Sequence, residues 1–123
     1  MRKKAILLVD DEPNHLEILS VKLSGEGYRI EQARSGEQAL KAIEKEKPGL
    51  VLLDILMPGM DGLEVLKRIK AADPGIPVCM VTAVWDNEES KKCFEAGAYE
   101  YITKPVDFER LKTAVLVKLF PNE

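Results

Sequence analysis

The segment Ala5-Ile6-Leu7-Leu8-Val9-Asp10-Asp11-Glu12 joins an aliphatic run of strand length to three consecutive acidic residues. A strand that is buried on both faces of a sheet carries such a continuous apolar run. Two further runs of this kind, Leu50 to Leu53 and Val78 to Val81, follow later in the chain. We therefore expect these three segments to form the centre of a sheet.

Short apolar runs alternate five times with longer segments of helical period, which is typical of an α/β protein with a parallel sheet. Each predicted strand is followed by a predicted helix, so the pattern indicates five of each in a single domain over residues 1–123. The predicted strands are Ala5 to Asp10, Tyr28 to Ala33, Leu50 to Asp54, Val78 to Thr82 and Tyr99 to Lys104.

Two of these strands mix polar with apolar residues, as in Tyr28-Arg29-Ile30-Glu31 and Tyr99-Glu100-Tyr101-Ile102. Such strands suit the partly solvated edges of a sheet. The strand order 2-1-3-4-5 with right-handed crossovers meets this requirement and gives a flavodoxin-like, doubly wound fold. In this order the chain reverses direction between strands one and three, and a ligand crevice is expected at their carboxyl ends.

Residues that favour helix starts precede each predicted helix. Pro13 suits the first helical position, and Ser35 with Gln38 forms a capping-box pattern. The other three predicted helices open on aspartates, which are Asp61, Asp86 and Asp107. The fourth helix, predicted from Asp86 to Ala96, has few large apolar residues, chiefly Phe94, and should be weakly anchored.

The composition disfavours several classes of function. The chain is 46% hydrophobic and 32% charged with a net charge of -3, which argues against direct binding of nucleic acid. The apolar stretch from Ala5 to Val9 is too short for a signal peptide, and no other run approaches the roughly 18 to 20 residues that cross a bilayer. We expect a cytoplasmic protein that is not bound to a membrane.

The cysteines and the histidine offer little chemistry on sequence grounds. Cys79 and Cys93 have no metal-ligand spacing, and we expect two buried free thiols. His15, the only histidine, lies among polar residues of the first predicted helix, and we expect a solvated surface side chain.

Three aspartates reach the predicted crevice. Asp10 and Asp11 close the first strand and Asp54 closes the third. Any one of them could be an ordinary helix cap or turn residue. Three together repel one another unless a cation joins them, and an all-oxygen site favours Mg²⁺, with Mn²⁺ as an alternative.

Two further strand ends supply groups that could hold an anion. Strand four ends in Thr82-Ala83 and strand five ends in Lys104-Pro105. Alone, the threonine is an ordinary strand residue and the lysine an ordinary turn residue. With a metal, these donors could hold the three equatorial oxygens of a phosphoryl group. Asp54, on the middle strand, is the natural nucleophile and would form an aspartyl phosphate.

Four motifs at four strand ends resemble the receiver domain of two-component response regulators along the whole chain. The motifs are Val9-Asp10-Asp11-Glu12, Leu53-Asp54-Ile55-Leu56-Met57-Pro58-Gly59-Met60-Asp61-Gly62, Val81-Thr82-Ala83 and Tyr101-Ile102-Thr103-Lys104-Pro105. The chain is similar to the single-domain chemotaxis response regulator.

The resemblance implies a role for each residue that matches the family pattern. The implied Mg²⁺ ligands are Asp11, Asp54, the main-chain carbonyl of Leu56 and, through a water, Asp10. The implied phosphoryl contacts are Thr82, Lys104 and the backbone N–H groups of Leu56 and Ala83. The resemblance also implies a cis peptide bond between Lys104 and Pro105.

The resemblance further implies a phosphoacceptor switch rather than an enzyme. A sensor histidine kinase or a phosphotransfer protein would phosphorylate Asp54, after which Thr82 and Tyr101 would move together. The fourth helix, fifth strand and fifth helix would then present a changed surface to an output domain or protein. The same surface could form a homodimer.

Three other interpretations are open to test. A Mg²⁺-dependent phosphatase that forms an aspartyl phosphate would need a second acid at Leu56. A flavodoxin-like nucleotide binder would need Ser, Thr and Gly where Asp10, Asp11 and Glu12 stand. A degenerate receiver used only for binding would lack part of the site, whereas all five side chains are present.

Overall fold

The computed structural model describes residues 3–121 as one parallel five-stranded sheet flanked by helices. The strand order is β2-β1-β3-β4-β5, and every neighbouring pair is parallel, as predicted. The strands are β1 (Ala5–Val9), β2 (Arg29–Ala33), β3 (Leu50–Leu53), β4 (Val78–Thr82) and β5 (Glu100–Thr103).

A helix follows each strand and returns the chain to the amino end of the sheet. The helices are α1 (Pro13–Gly25), α2 (Gly36–Lys45), α3 (Gly62–Ala72), α4 (Asn87–Glu95) and α5 (Phe108–Leu116). Within residues 3–121, none of them has the length and apolar character needed to cross a bilayer.

The sheet separates two apolar layers, and alternate residues of β1 serve each of them. Leu7 and Val9 pack on the side of α2, α3 and α4, whereas Ile6 and Leu8 pack on the side of α1 and α5. All residues of β1, β3 and β4 are buried, while β2 and β5 are partly exposed, as predicted for central and edge strands. The core therefore fixes the three central strands, whose carboxyl ends carry the acidic residues.

The predicted strands extend one residue too far at several ends. Tyr28 and Tyr99 precede β2 and β5 instead of starting them, and Asp10, Asp54 and Lys104 follow their strands. The hydroxyls of both tyrosines bond to the backbone of the C-terminal segment, since Tyr28 donates to the Leu119 carbonyl at 2.8 Å and Tyr99 to the Ala114 carbonyl at 2.6 Å. The aspartates and the lysine turn their side chains into the crevice, where the strand ladder ends.

The predicted helix caps are confirmed, with one difference in the bonding at α2. Ser35 accepts a hydrogen bond from the Gln38 backbone N–H, but the Gln38 side chain accepts from the N–H of Arg34 and not from that of Ser35. Asp61, Asp86 and Asp107 cap the helices that they precede.

The packing of α4 agrees with the prediction that this helix is weakly anchored. Phe94 is 47% exposed, and Cys93 is the residue of this helix that is buried. A nine-residue helix that is held by one small buried thiol has little apolar contact with the core. Both cysteines are buried free thiols, as expected.

Candidate functional site

The carboxyl ends of β1 and β3 place Asp10 and Asp54 side by side. The backbone N–H of Asp54 donates to the Val9 carbonyl at 3.0 Å, and that of Asp10 donates to the Ala33 carbonyl at 3.1 Å. The main chain of both aspartates therefore still belongs to the sheet, whose buried strands hold it in place. Their side chains are consequently fixed relative to each other although 44 positions separate them in sequence.

Carboxylate oxygens of Asp10, Asp11 and Asp54 all lie within 4.8 Å of one another. Asp10 and Asp54 are buried, and Asp11 is partly exposed at the mouth of the crevice. The three acids that the sequence placed on two strand ends thus form one cluster. Like charges this close are stable only when cations lie beside them.

Lys104 supplies one such cation. Its ammonium donates to Asp10 Oδ2 at 2.8 Å and to Asp54 Oδ2 at 3.0 Å. Burial lowers the pKa of Lys104, but the hydrogen bonds and charges of the two carboxylates outweigh that effect, and the net shift is upward. The ammonium is therefore charged at neutral pH, as an anion-binding group must be.

The remaining oxygens of the two buried carboxylates accept local backbone hydrogen bonds. The Glu12 N–H donates to Asp10 Oδ1 at 2.9 Å, and the Leu56 N–H donates to Asp54 Oδ1 at 3.1 Å. Aspartate favours such turns because its side chain reaches the backbone two residues ahead. Both carboxylates are thereby oriented by the residues that follow them.

The start of α3 packs directly against the backbone of Asp54. A Cβ atom at Gly62 would overlap the Asp54 carbonyl oxygen and would lie 2.6 Å from Ile55 Cα. The Gly62 N–H also donates to the Ile55 carbonyl at 2.9 Å. Glycine is required here because two backbones meet without room for a side chain.

Thr82 and Tyr101 are buried side chains that bond to the same residue, Val84. Thr82 is fully buried, and its hydroxyl accepts a hydrogen bond from the Val84 N–H at 3.3 Å. The Tyr101 ring is also buried, and its hydroxyl donates to the Val84 carbonyl at 2.8 Å. Val84 therefore bonds to both side chains. Burial, followed by nearby negative charges, raises the pKa of Tyr101 to about 12.

Two other predicted positions have a defined place in the structure. Ala83 is exposed at the end of β4, and the Leu56 side chain is 58% exposed beside Asp54. The peptide bond between Lys104 and Pro105 is cis. The roles of the Leu56 carbonyl and of the Ala83 N–H stay predictions.

His15 is exposed, as predicted, but the structure also places its ring at the site, which was not predicted from the sequence. Its Nδ1 lies 2.9 Å from Lys104 Nζ and 3.4 Å from Asp10 Oδ2. The sequence held one signal for this contact. Pro13 starts α1 three residues after Asp10, so the first turn of the helix must lie at the rim of the crevice.

The donor set fits a hard divalent cation. The three clustered side chains offer carboxylate oxygens, which Mg²⁺ and Mn²⁺ prefer. Three carboxylates beside one ammonium leave an excess of negative charge, which a divalent ion would neutralise. Asp11 is the carboxylate with free access from solvent.

Known proteins are similar to this chain in sequence and in fold. The chain is 40% identical to the DNA-binding response regulator MtrA of Mycolicibacterium smegmatis over 121 residues, which are 98% of this chain and 53% of MtrA. It therefore spans about half the length of that relative. It is 41% identical over 115 residues to sporulation initiation phosphotransferase F of Bacillus subtilis, covering 94% of this chain and 93% of that protein.

A solved structure and a family model agree with these relatives. The response regulator TrrA of Thermotoga maritima, crystallised in complex with Mg(2+)-BeF, superposes with a TM-score of 0.87 at 41% identity, over 94% of this chain and 99% of that chain. The model of the response regulator receiver domain matches residues 6–116. The chain belongs to the receiver domain family of two-component response regulators.

Proposed function

We propose that this receiver domain accepts a phosphoryl group on Asp54 in a Mg²⁺-dependent reaction. The observation that carries the proposal is the shared ammonium of Lys104, which bonds to Asp54 and Asp10 inside one carboxylate cluster. A buried carboxylate that is held by a cation and lies next to a potential metal site is equipped to attack phosphorus.

The reaction forms a bond between an Asp54 carboxylate oxygen and phosphorus and breaks the bond from phosphorus to its leaving group. Lys104 lies against Asp54 Oδ2 and would contact a phosphoryl oxygen once the carboxylate has become an acyl phosphate. The Leu56 N–H already points at Asp54 Oδ1, which places it to donate to the same group. The chain therefore contributes orientation and charge, which are the main requirements of phosphoryl transfer.

The bound Mg²⁺ would supply charge neutralisation between the acids and the incoming phosphoryl group. Asp11, Asp54 and the Leu56 carbonyl would hold the ion, with Asp10 acting through a water. Lys104 and a backbone N–H engage the oxygens of both Asp10 and Asp54, which holds the two carboxylates beside the place of the ion.

Thr82, Val84 and Tyr101 would connect the phosphoryl group to the surface of α4, β5 and α5. The Thr82 hydroxyl and the Tyr101 hydroxyl both bond to the backbone of Val84. Movement of Thr82 toward a phosphoryl oxygen would break its bond to the Val84 N–H and alter the segment on which Tyr101 rests. Such a change shifts the population of two conformers.

The signalling context follows from the family. The donor would be a sensor histidine kinase or a phosphotransfer protein in the cytoplasm, and the recipient of the signal an output domain or protein, or a second receiver in a homodimer. The domain would assist its own phosphorylation without acting as an enzyme on other substrates.

The test is incubation of the chain with Mg²⁺ and acetyl phosphate, followed by intact mass measurement. We expect a gain of one phosphate in the parent and no gain in Asp54→Asn. Asp107→Asn is the matched control, because asparagine also caps helices and the fold should be kept. A parent that gains nothing, or an Asp54→Asn variant that gains as much as the parent, would contradict the proposal.

A further inference from the structure

A second cleft lies at the amino ends of the strands, at the opposite edge of the sheet from the acidic cluster. Its volume is about 440 Å³. The cleft is lined by the residues that directly precede four of the strands, which are Lys4, Gly49, Pro77 and Tyr99. This cleft is distinct from the phosphoacceptor site and shares no residue with it.

Four lysines from four segments of the chain line the cleft. Lys4 precedes β1, Lys47 follows α2, Lys70 belongs to α3 and Lys118 follows α5. No acidic side chain in residues 3–121 lines the cleft. The whole chain has 18 basic against 21 acidic residues, so this concentration of positive charge opposes its overall balance.

One of these ammonium groups has a carboxylate partner among the described residues. Lys47 pairs with Asp73 at 3.0 Å, and the other oxygen of that carboxylate accepts from the N–H of Gly75, which lines the cleft. The ammonium of Lys118 lies over the Tyr99 ring, 5.0 Å from its centre. Within residues 3–121, the Lys118 ammonium makes this ring contact and no ion pair.

Lys70 is held in place by the chain around it. Its ammonium donates to the Ile76 carbonyl at 2.6 Å and to the Pro74 carbonyl at 3.3 Å. Burial, followed by the like charge of Lys118, lowers the pKa of Lys70. An anion bound between the two lysines would remove this repulsion.

We propose that this cleft binds a small polyanion that carries at least two linked phosphate groups. Two positioned ammonium groups, Lys70 and Lys118, would each contact one phosphate, and Lys4 and Lys47 would add charge at the rim. A diphosphate carries more charge and is longer than orthophosphate, which suits ammonium groups that come from four segments of the chain.

The test is calorimetric and NMR titration of the full chain with inorganic pyrophosphate, without divalent ions so that the acidic cluster repels anions. We expect saturable binding that is about tenfold tighter than that of orthophosphate. The largest shifts should occur at the amides of Gly49, Gly75 and Gly97, which line the cleft.

Single substitutions then locate the site. Lys118→Gln and Lys4→Gln alter exposed side chains, so both variants should fold, and Lys118→Gln should weaken pyrophosphate binding about tenfold. Lys70→Gln should do the same if its fold is kept. Lys91→Gln, on exposed α4, is the matched control and should bind like the parent.

Three results would overturn the proposal. They are an absence of saturable binding, equal affinity for pyrophosphate in the parent and in Lys118→Gln, and shifts confined to the residues around Asp54. Each is independent of whether Asp54 accepts phosphate.

Discussion

Asp11 differs from Asp10 and Asp54 in the hydrogen bonds of its carboxylate. Asp10 and Asp54 bond to Lys104, whereas no hydrogen bond or ion pair within residues 3–121 involves the Asp11 carboxylate. Removing its charge should therefore relieve repulsion when no metal is present. The same change should remove a ligand when Mg²⁺ is added.

We predict that Asp11→Asn separates metal binding from folding. In chelator, its midpoint of urea unfolding should equal or slightly exceed that of the parent. Saturating Mg²⁺ should stabilise the parent by about 2.7 kcal/mol at a concentration one hundred times its dissociation constant, and should stabilise Asp11→Asn far less. Equal Mg²⁺-dependent gains in the parent, Asp11→Asn and Asp107→Asn would argue against a metal role for Asp11.

Some contacts between single residues of the site could be predicted from the sequence, and others could not. The meeting of Asp10, Asp54 and Lys104 could be predicted, because parallel strands bring their carboxyl ends to one edge. The contact of His15 could not be read from composition, since it depends on how α1 leaves the sheet. The partners of individual oxygens, such as Asp54 Oδ1 with the Leu56 N–H, depend on backbone turns that spacing alone does not specify.

Among the contacts between helices and strands, the close approach of α3 to the end of β3 determines the position of the Asp54 backbone. We predict that Gly62→Ala lowers the free energy of unfolding by about 1–3 kcal/mol, because the added methyl group would overlap the Asp54 backbone. It should also slow the gain of phosphate from acetyl phosphate. Urea unfolding and intact mass would measure the two effects.

Gly25→Ala is the matched control for this substitution. Gly25 ends α1, and a Cβ atom there would meet no heavy atom within 4 Å. This variant should be neutral or more stable by up to about 1 kcal/mol. If Gly62→Ala were as stable as Gly25→Ala, the close contact of the two backbones would be wrong.

The elements differ in how well their packing could be predicted. Strand order followed from the apolar runs of β1, β3 and β4, and capping residues located the helix starts. The face of α4 was harder to assign, because its buried residue, Cys93, is small and its neighbour Phe94 is the larger apolar group. The size of an apolar side chain is a poor guide to which residue is buried when a helix packs against the core through a single small side chain.

The whole molecule keeps several weak acids neutral within its core. Burial raises the pKa of Cys79 to about 12 and that of Cys93 to about 11. The unfolded chain would release these protons near pH 9, whereas the folded chain keeps them. The stability that the neutral thiols contribute is therefore complete below pH 9 and is lost as the pH rises toward 11 and 12.

We predict that the free energy of unfolding falls between pH 8 and about pH 10.5, by roughly 1–2 kcal/mol for each buried thiol. A double variant, Cys79→Ala with Cys93→Ala, should be less stable at pH 8 but should lose less over that interval. Urea unfolding at both pH values gives the comparison. A parent and a double variant with the same dependence on pH would show that the thiols ionise freely in the folded chain.

Lys104 joins parts of the sheet that share no backbone hydrogen bond. It follows the edge strand β5, yet its ammonium contacts the carboxylates that follow β1 and β3, on the far side of β4. The Lys104 side chain thus links the edge strand directly to the centre of the sheet, in addition to the backbone hydrogen bonds that run through β4. A change in the charge of Asp54 would alter the strength of its ion pair with Lys104. Because Lys104 directly follows β5, that change would act on the edge strand without passing through β4.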